Sequence, residues 1–219
     1  MINIKKIFEY SRQLSRYFSA SLIPMLLNLM INPLVALNMS PEDFAITGYF
    51  TSFSTLLTPI ISFYLIHYYN KRYFELDEKG REYLTIMLFK ALIFFSFAVT
   101  IVCLFALIIY IKLSTNISIP AFPYLYIAVM TIPFTGIYNL ELARYKMERK
   151  SRQYMNLSLV KGIVLTIGII LFVVIIKYGA FGKLLAPLLV EVGFFCYLVY
   201  KHRDIWGTKT TISDIKPMI

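Results

Sequence analysis

The stretch from Asn38 to Arg72, NMSPEDFAITGYFTSFSTLLTPIISFYLIHYYNKR, decides how the rest of the chain is read. It opens on a turn, Ser40-Pro41-Glu42-Asp43, that carries acid and no base. An apolar run follows from Phe44 to Tyr68, and the stretch closes on Lys71-Arg72. Roughly 25 residues at ~1.5 Å rise make a helix of about 37 Å, enough to cross a hydrocarbon layer of ~30 Å with some tilt. Thr47, Thr51, Ser54, Thr55, Thr58 and Ser62 recur at spacings of three and four, so hydroxyls form one stripe on this helix. A helix that faces only lipid has no use for such a stripe, whereas one that lines a bundle or a wet path does.

The composition extends this reading to the whole chain. Of 219 residues, 58% are hydrophobic, 16% are aromatic, and mean hydropathy is +0.68. Apolar runs long enough to span a bilayer recur, which makes the chain an integral membrane protein. The net charge of +10 would suggest nucleic acid in a soluble protein. Here the basic residues are not interleaved with exposed aromatics in a groove-like block, and the charge is instead sorted by loop, so no nucleic-acid partner is expected. The two cysteines, Cys103 and Cys196, lie inside apolar runs and fit neither a disulfide framework nor a zinc site. The first apolar run is too long for a cleavable signal peptide and lacks a small-residue cleavage site.

In order, residues 1–16 read as a short basic amphipathic helix lying in the membrane interface. Residues 17–200 then hold six spans, at about 17–38, 44–68, 84–111, 121–142, 154–176 and 180–200. Residues 201–219 are polar and read as a cytoplasmic tail or a truncated linker. Counted at the span ends, seventeen Lys and Arg fall on one set of alternate loops and three on the other, with Lys90 and Lys161 inside spans. The expected fold is therefore an all-α membrane protein of six transmembrane helices with both termini cytoplasmic.

Polar groups inside the spans are the candidate functional residues. Ser21, Asn28 and Asn32 share a face of the first span, and Thr131, Thr135 and Asn139 a face of the fourth. The third span is nearly all apolar and reads as lipid-facing. Lys161 and Glu191 lie about eight and ten residues in from the basic ends of spans five and six, depths of roughly 12 and 15 Å. A charge at mid-bilayer costs about 2.5–3.5 kcal/mol, so a pair on adjacent antiparallel helices is expected, either as a structural pin or as a cavity charge that couples to protons. Glu141 and Arg144, near the end of span four, read as solvated interfacial charges. No Ser-His-Asp set, phosphate-cradling glycine loop, metal-ligand spacing or catalytic carboxylate pair is present in the sequence. The expectation is a protein that is not an enzyme and carries no cofactor.

The turn Ser40-Pro41-Glu42-Asp43-Phe44, the basic loop from Tyr68 to Glu75 (YYNKRYFE) and the segment RYKMERKSRQYMNLSLV from Arg144 to Val160 together resemble bacterial polysaccharide and oligosaccharide flippases of the multidrug/oligosaccharidyl-lipid/polysaccharide exporter superfamily. The resemblance implies two pseudo-symmetric six-helix lobes around a central cavity. It also implies alternating-access movement of an undecaprenyl-pyrophosphate-linked oligosaccharide across the bacterial inner membrane, as in lipopolysaccharide O-antigen export. It places the first two helices against the cavity. On that basis Ser21, Asn28, Asn32, Thr51, Ser54 and Thr58 are expected to line the substrate path, with Lys161 and Glu191 setting charge or coupling. The chain supplies one lobe only, which leaves open a truncated half, a split transporter or a homo-oligomer. The alternatives are a non-transporting assembly or scaffold subunit, and a membrane-embedded transferase acting on lipid-linked substrates. The transferase would need clustered carboxylates or a histidine at a membrane face.

Overall fold

The computed structural model describes residues 4–62, 65–113 and 122–204, and within them the chain is helical with no strand. The helices are α1 (Ile4–Leu37), α2 (Pro41–Ser62), α3 (Leu65–Arg72), α4 (Glu78–Leu113), α5 (Tyr124–Met147), α6 (Ser151–Ile169) and α7 (Gly179–Lys201). A π-helical stretch, Ile170–Ile175, continues α6. Among the described residues, five helices are long and apolar enough to cross a membrane, and α2 with α3 makes a sixth crossing if the two count as one bent span. The chain is thus a multi-pass α-helical membrane protein. The side chain of Ser62, Tyr64 and the tail from residue 205 onward lie outside the described residues.

Three boundaries differ from the sequence reading. The basic N-terminal segment is not a helix of its own. It is the first part of α1, which runs unbroken through Pro24 and Pro33 to Leu37. Nothing between residues 4 and 23 punctuates the helix, since neither glycine nor proline occurs there. The expected span 44–68 is divided into α2 and α3, which are inclined at 43°. Pro59, in the last turn of α2, has no N–H for the ladder, and its ring crowds the carbonyl one turn back. The third span begins earlier, at Glu78, and is not purely lipid-facing. One face of α4, including Leu88, Leu92, Ser96 and Thr100, is fully buried, and Gly136 of α5 admits the Leu92 side chain close to its backbone.

Packing sorts the helices into a continuous set. α5 lies at the centre, against α2, α4 and α7, and buries Leu125, Val129, Ile137 and Leu140. α7 joins α5 to α6, and α1 packs along α6 on the outside. The α1–α6 seam is close because Pro24 rests where Gly162 has no side chain; a Cβ there would meet the proline ring at 2.9 Å. Ser158 Oγ donates to the Ala20 carbonyl at 2.7 Å across the same seam, and Tyr17 meets Tyr154 edge-on at 5.0 Å.

The two ends of the bundle are chemically distinct. At one end Arg16 reaches Ser151, Lys201 and His202 reach Glu141, and Phe89 meets His202 edge-on at 5.4 Å. The basic stretches in the first part of α1, after α5 and at the end of α7 therefore gather at this basic end. At the other end, Ser40 and Asp43 cap α2 reciprocally: Asp43 N–H donates to Ser40 Oγ at 3.1 Å, and Ser40 N–H donates to Asp43 Oδ2 at 3.1 Å. The second carboxylate oxygen of Asp43 accepts from Ala180 N–H at 2.8 Å, which ties the start of α2 to the start of α7. Gly179 makes that approach possible, with φ of 52° and a position where a Cβ would lie 2.6 Å from the Asp43 carboxylate.

Candidate functional site

A pair of opposite charges lies within the membrane-spanning body, between α6 and α7. Lys161 on α6 and Glu191 on α7 form an ion pair, Nζ to Oε1, at 2.5 Å. Both are nearly withdrawn from solvent, with side chains 14% and 10% exposed. The Lys161 ammonium also sits 3.5 Å from the centroid of the Tyr138 ring on α5. One pair thereby ties three helices together, and a desolvated cation gains from both partners. The second Glu191 oxygen, Oε2, is buried and accepts no hydrogen bond among the described residues. A carboxylate with one satisfied and one bare oxygen can pin helices and can also accept a proton.

The polar stripe of α2 is divided by the packing. Thr47 is buried, Ser54 and Thr58 are half-buried, and Thr51 and Thr55 are exposed. Most of the hydroxyls return to their own helix: Thr51 donates to the Thr47 carbonyl at 2.6 Å, Thr55 to Thr51 at 2.9 Å and Thr58 to Ser54 at 2.6 Å. Ser54 alone of these also reaches another helix, at 3.0 Å from the Ala128 carbonyl on α5. Thr47, Thr51, Ser52 and Thr55 line a surface groove of about 650 Å³ that Lys183 of α7 closes on one side. Lys183 was not among the residues expected here. Its position follows from the Asp43–Ala180 tie, which brings the first turn of α7 beside α2, and its ammonium lies 4.6 Å from the Phe44 ring.

The α1 residues stand apart from this groove. Ser21, Asn28 and Asn32 are exposed, on a flank of α1 beside the face that buries Ala20, Ile31 and Val35. Ser21 donates to the Tyr17 carbonyl at 3.5 Å, whereas Asn28 and Asn32 make no hydrogen bond among the described residues. α1 and α2 do not pack on one another, because α1 lies along α6 while α2 lies along α4, α5 and α7. The six expected path residues are therefore not gathered into one closed site within this chain. Thr131 and Thr135 on α5 also bond within their own helix, at 2.7 and 3.1 Å.

A second charged cluster lies at the basic end, and here the sequence reading is corrected. Glu141 is not a solvated interfacial acid; it is 2% exposed. Its carboxylate takes Lys201 at 2.8 Å, His202 at 3.1 Å and Arg144 at 3.5 Å. Lys201 also donates to the Tyr145 hydroxyl, and Arg144 continues to Glu148 at 2.7 Å. The reason is the α5–α7 packing, which brings the end of α7 across one face of α5 and shuts water out. The available signal was an acid inside an otherwise basic span end, opposite a Lys-His pair at the end of the last span.

Comparison of the chain with protein-family models, with curated protein sequences and with solved structures finds no match in any of the three.

Proposed function

We propose that this chain is a membrane transport protein that does no bond chemistry: one lobe of a flippase moving lipid-linked oligosaccharide, of the undecaprenyl-pyrophosphate type, across the bacterial inner membrane for polysaccharide synthesis. The observation that carries the transport reading is the polar face of α1. Asn28 and Asn32 are exposed on a helix long enough to cross the bilayer, without a partner among the described residues. Two bare primary amides facing hydrocarbon are costly, and a water-lined path or a second lobe removes that cost. The hydroxyl-lined groove of α2 with Lys183 offers hydrogen-bond partners and a positive charge suited to a glycan and a phosphate. The cargo class rests on the resemblance of the Ser40–Phe44 turn and the Tyr68–Glu75 loop. Both termini lie on the cytoplasmic side in this reading, since the basic loops do.

Deletion of the coding sequence tests it. The lipid-linked intermediate accumulates on the cytoplasmic side and the surface glycan is lost. An unchanged intermediate with an intact glycan overturns the reading. The rival is a non-transporting assembly subunit, favoured by the same open α1 face. It predicts that a double Asn28→Leu, Asn32→Leu variant loses a partner protein, rather than losing transport with the partner still bound.

A further inference from the structure

A groove of about 770 Å³ runs between α6 and α7, on the side away from the Lys161–Glu191 pair. This lies in the size range of ligand sites, roughly 300–1,000 Å³. The far end is narrow because Gly168 and Ala186 face one another, where a Cβ on Gly168 would meet the Ala186 methyl at 3.5 Å. Toward the basic end its walls are Val160, Val164, Val190 and Phe194. Gly193 leaves its floor open, since a Cβ there would meet nothing within 4 Å. The character changes at the basic end, where Tyr145, Gln153, Asn156 and Lys201 replace the aliphatic walls.

Charge and depth together select the occupant. Around the mouth, Glu141 and Glu148 are set against Lys150, Lys201 and Arg144, with His202 also on Glu141, which leaves the ion-paired cluster with a positive surplus. Arg149 and Arg152 flank it and enter no ion pair among the described residues. From Gln153 to the narrow end at Gly168 is fifteen residues, about 22 Å of helical rise, which covers the ~15 Å hydrocarbon depth of one leaflet and the polar mouth above it. An apolar slot at least one leaflet deep, with a cationic and hydrogen-bonding mouth, matches an amphiphile with an anionic head.

We propose that the α6–α7 groove binds an anionic glycerophospholipid of the surrounding bilayer, with an acyl chain along Val160, Val164 and Gly193 and the phosphate against Lys201, Gln153 and Asn156. The site is separate from the α1–α2 face and does not depend on the flippase reading. Basic side chains near an anionic headgroup each strengthen binding about fivefold.

The test is native mass spectrometry of the full chain released from vesicles of phosphatidylglycerol and phosphatidylcholine in equal amounts. The expected result is one retained phosphatidylglycerol, preferred about fivefold or more over phosphatidylcholine. Gly193→Phe fills the slot and removes the retained lipid. Gln153→Glu with Asn156→Asp, both at exposed positions, removes the preference for the anionic lipid and leaves the Glu141 cluster untouched. Val102→Phe on the outer face of α4 changes nothing. Equal retention of the two lipids overturns the proposal, as does preference surviving both groove variants in monodisperse protein. Displacement of phosphatidylglycerol by an equimolar polyprenyl phosphate also overturns it, since the slot then belongs to a carrier lipid. Should Gly193→Phe fail to fold, the Gln153→Glu, Asn156→Asp variant decides the matter alone.

Discussion

Lys161 and Glu191 face each other across α6 and α7 at 2.5 Å, with the Lys161 ammonium held over the Tyr138 ring. Removing one member leaves the other charge buried without compensation, which costs about 3–5 kcal/mol. Lys161→Met alone, or Glu191→Leu alone, is expected to lower the detergent unfolding midpoint sharply or to abolish accumulation in the membrane. The double variant Lys161→Met, Glu191→Leu recovers most of the stability. Charge exchange, Lys161→Glu with Glu191→Lys, recovers part of it. If the pair couples transport as well as pinning helices, the double apolar variant folds and does not transport. Thermal unfolding and transport measured on the same variants separate the two roles.

The tie between Asp43 and Gly179 predicts opposite outcomes at two glycines. Gly179→Ala forces a side chain into a left-handed backbone position and onto the Asp43 carboxylate, so a loss of more than about 1 kcal/mol is expected. Gly48→Ala adds a methyl in open space on α2 and is expected to be neutral or to gain up to about 1 kcal/mol. Unfolding midpoints of the two variants, measured in one detergent, provide the comparison.

Glu141 predicts a coupled cluster at the basic end. Glu141→Gln leaves Lys201 and Arg144 without their shared acid and is expected to cost about 3 kcal/mol. In a double-mutant cycle with Lys201→Met the two losses are expected to overlap by about 0.5–3 kcal/mol, because the side chains bond directly. Strict additivity in that cycle contradicts the contact.

Just beyond α5, Glu148 gives a pH dependence with a defined sign. Burial pushes its carboxyl up, but hydrogen bonds from Lys150 and Arg144 outweigh this and hold it below the usual carboxylate range. A depressed folded value means that the unfolded chain binds the proton more readily. The contribution of Glu148 is therefore present above its ordinary value and lost as pH falls through the folded one. The unfolding midpoint is expected to decline as pH falls below the ordinary glutamate range, and Glu148→Gln makes that decline shallower.

Much of this architecture was legible from hydropathy and charge, for a definite reason. Long apolar runs and sorted basic residues are properties of single helices and their ends, so Phe44 to Tyr68 and the Arg144–Arg152 loop announce themselves locally. The Lys161–Glu191 contact was legible because depth and the antiparallel order of neighbouring spans nearly determine it. Features created by packing were not. The burial of Glu141 depends on where α7 crosses α5. Lys183 joins the α2 groove only because Asp43 binds the N-terminus of α7. The hydroxyl periodicity of α2 was real, yet its meaning was split once Thr51 and Thr58 turned out to bond their own helix carbonyls. The separation of α1 from α2 had no local signal, since it reflects which neighbour each helix prefers.

The central claim is that the chain threads the membrane so that its basic loops share one side and the Ser40–Asp43 turn lies on the other. It is tested most directly by labelling single cysteines with a membrane-impermeant maleimide, after Cys103 and Cys196 are replaced by serine. Glu42→Cys, Lys79→Cys and Arg203→Cys occupy exposed positions at the two ends. The account predicts that intact cells label Glu42→Cys alone, and that Lys79→Cys and Arg203→Cys react only once the membrane is opened. Labelling of Glu42→Cys and Lys79→Cys from the same side contradicts it.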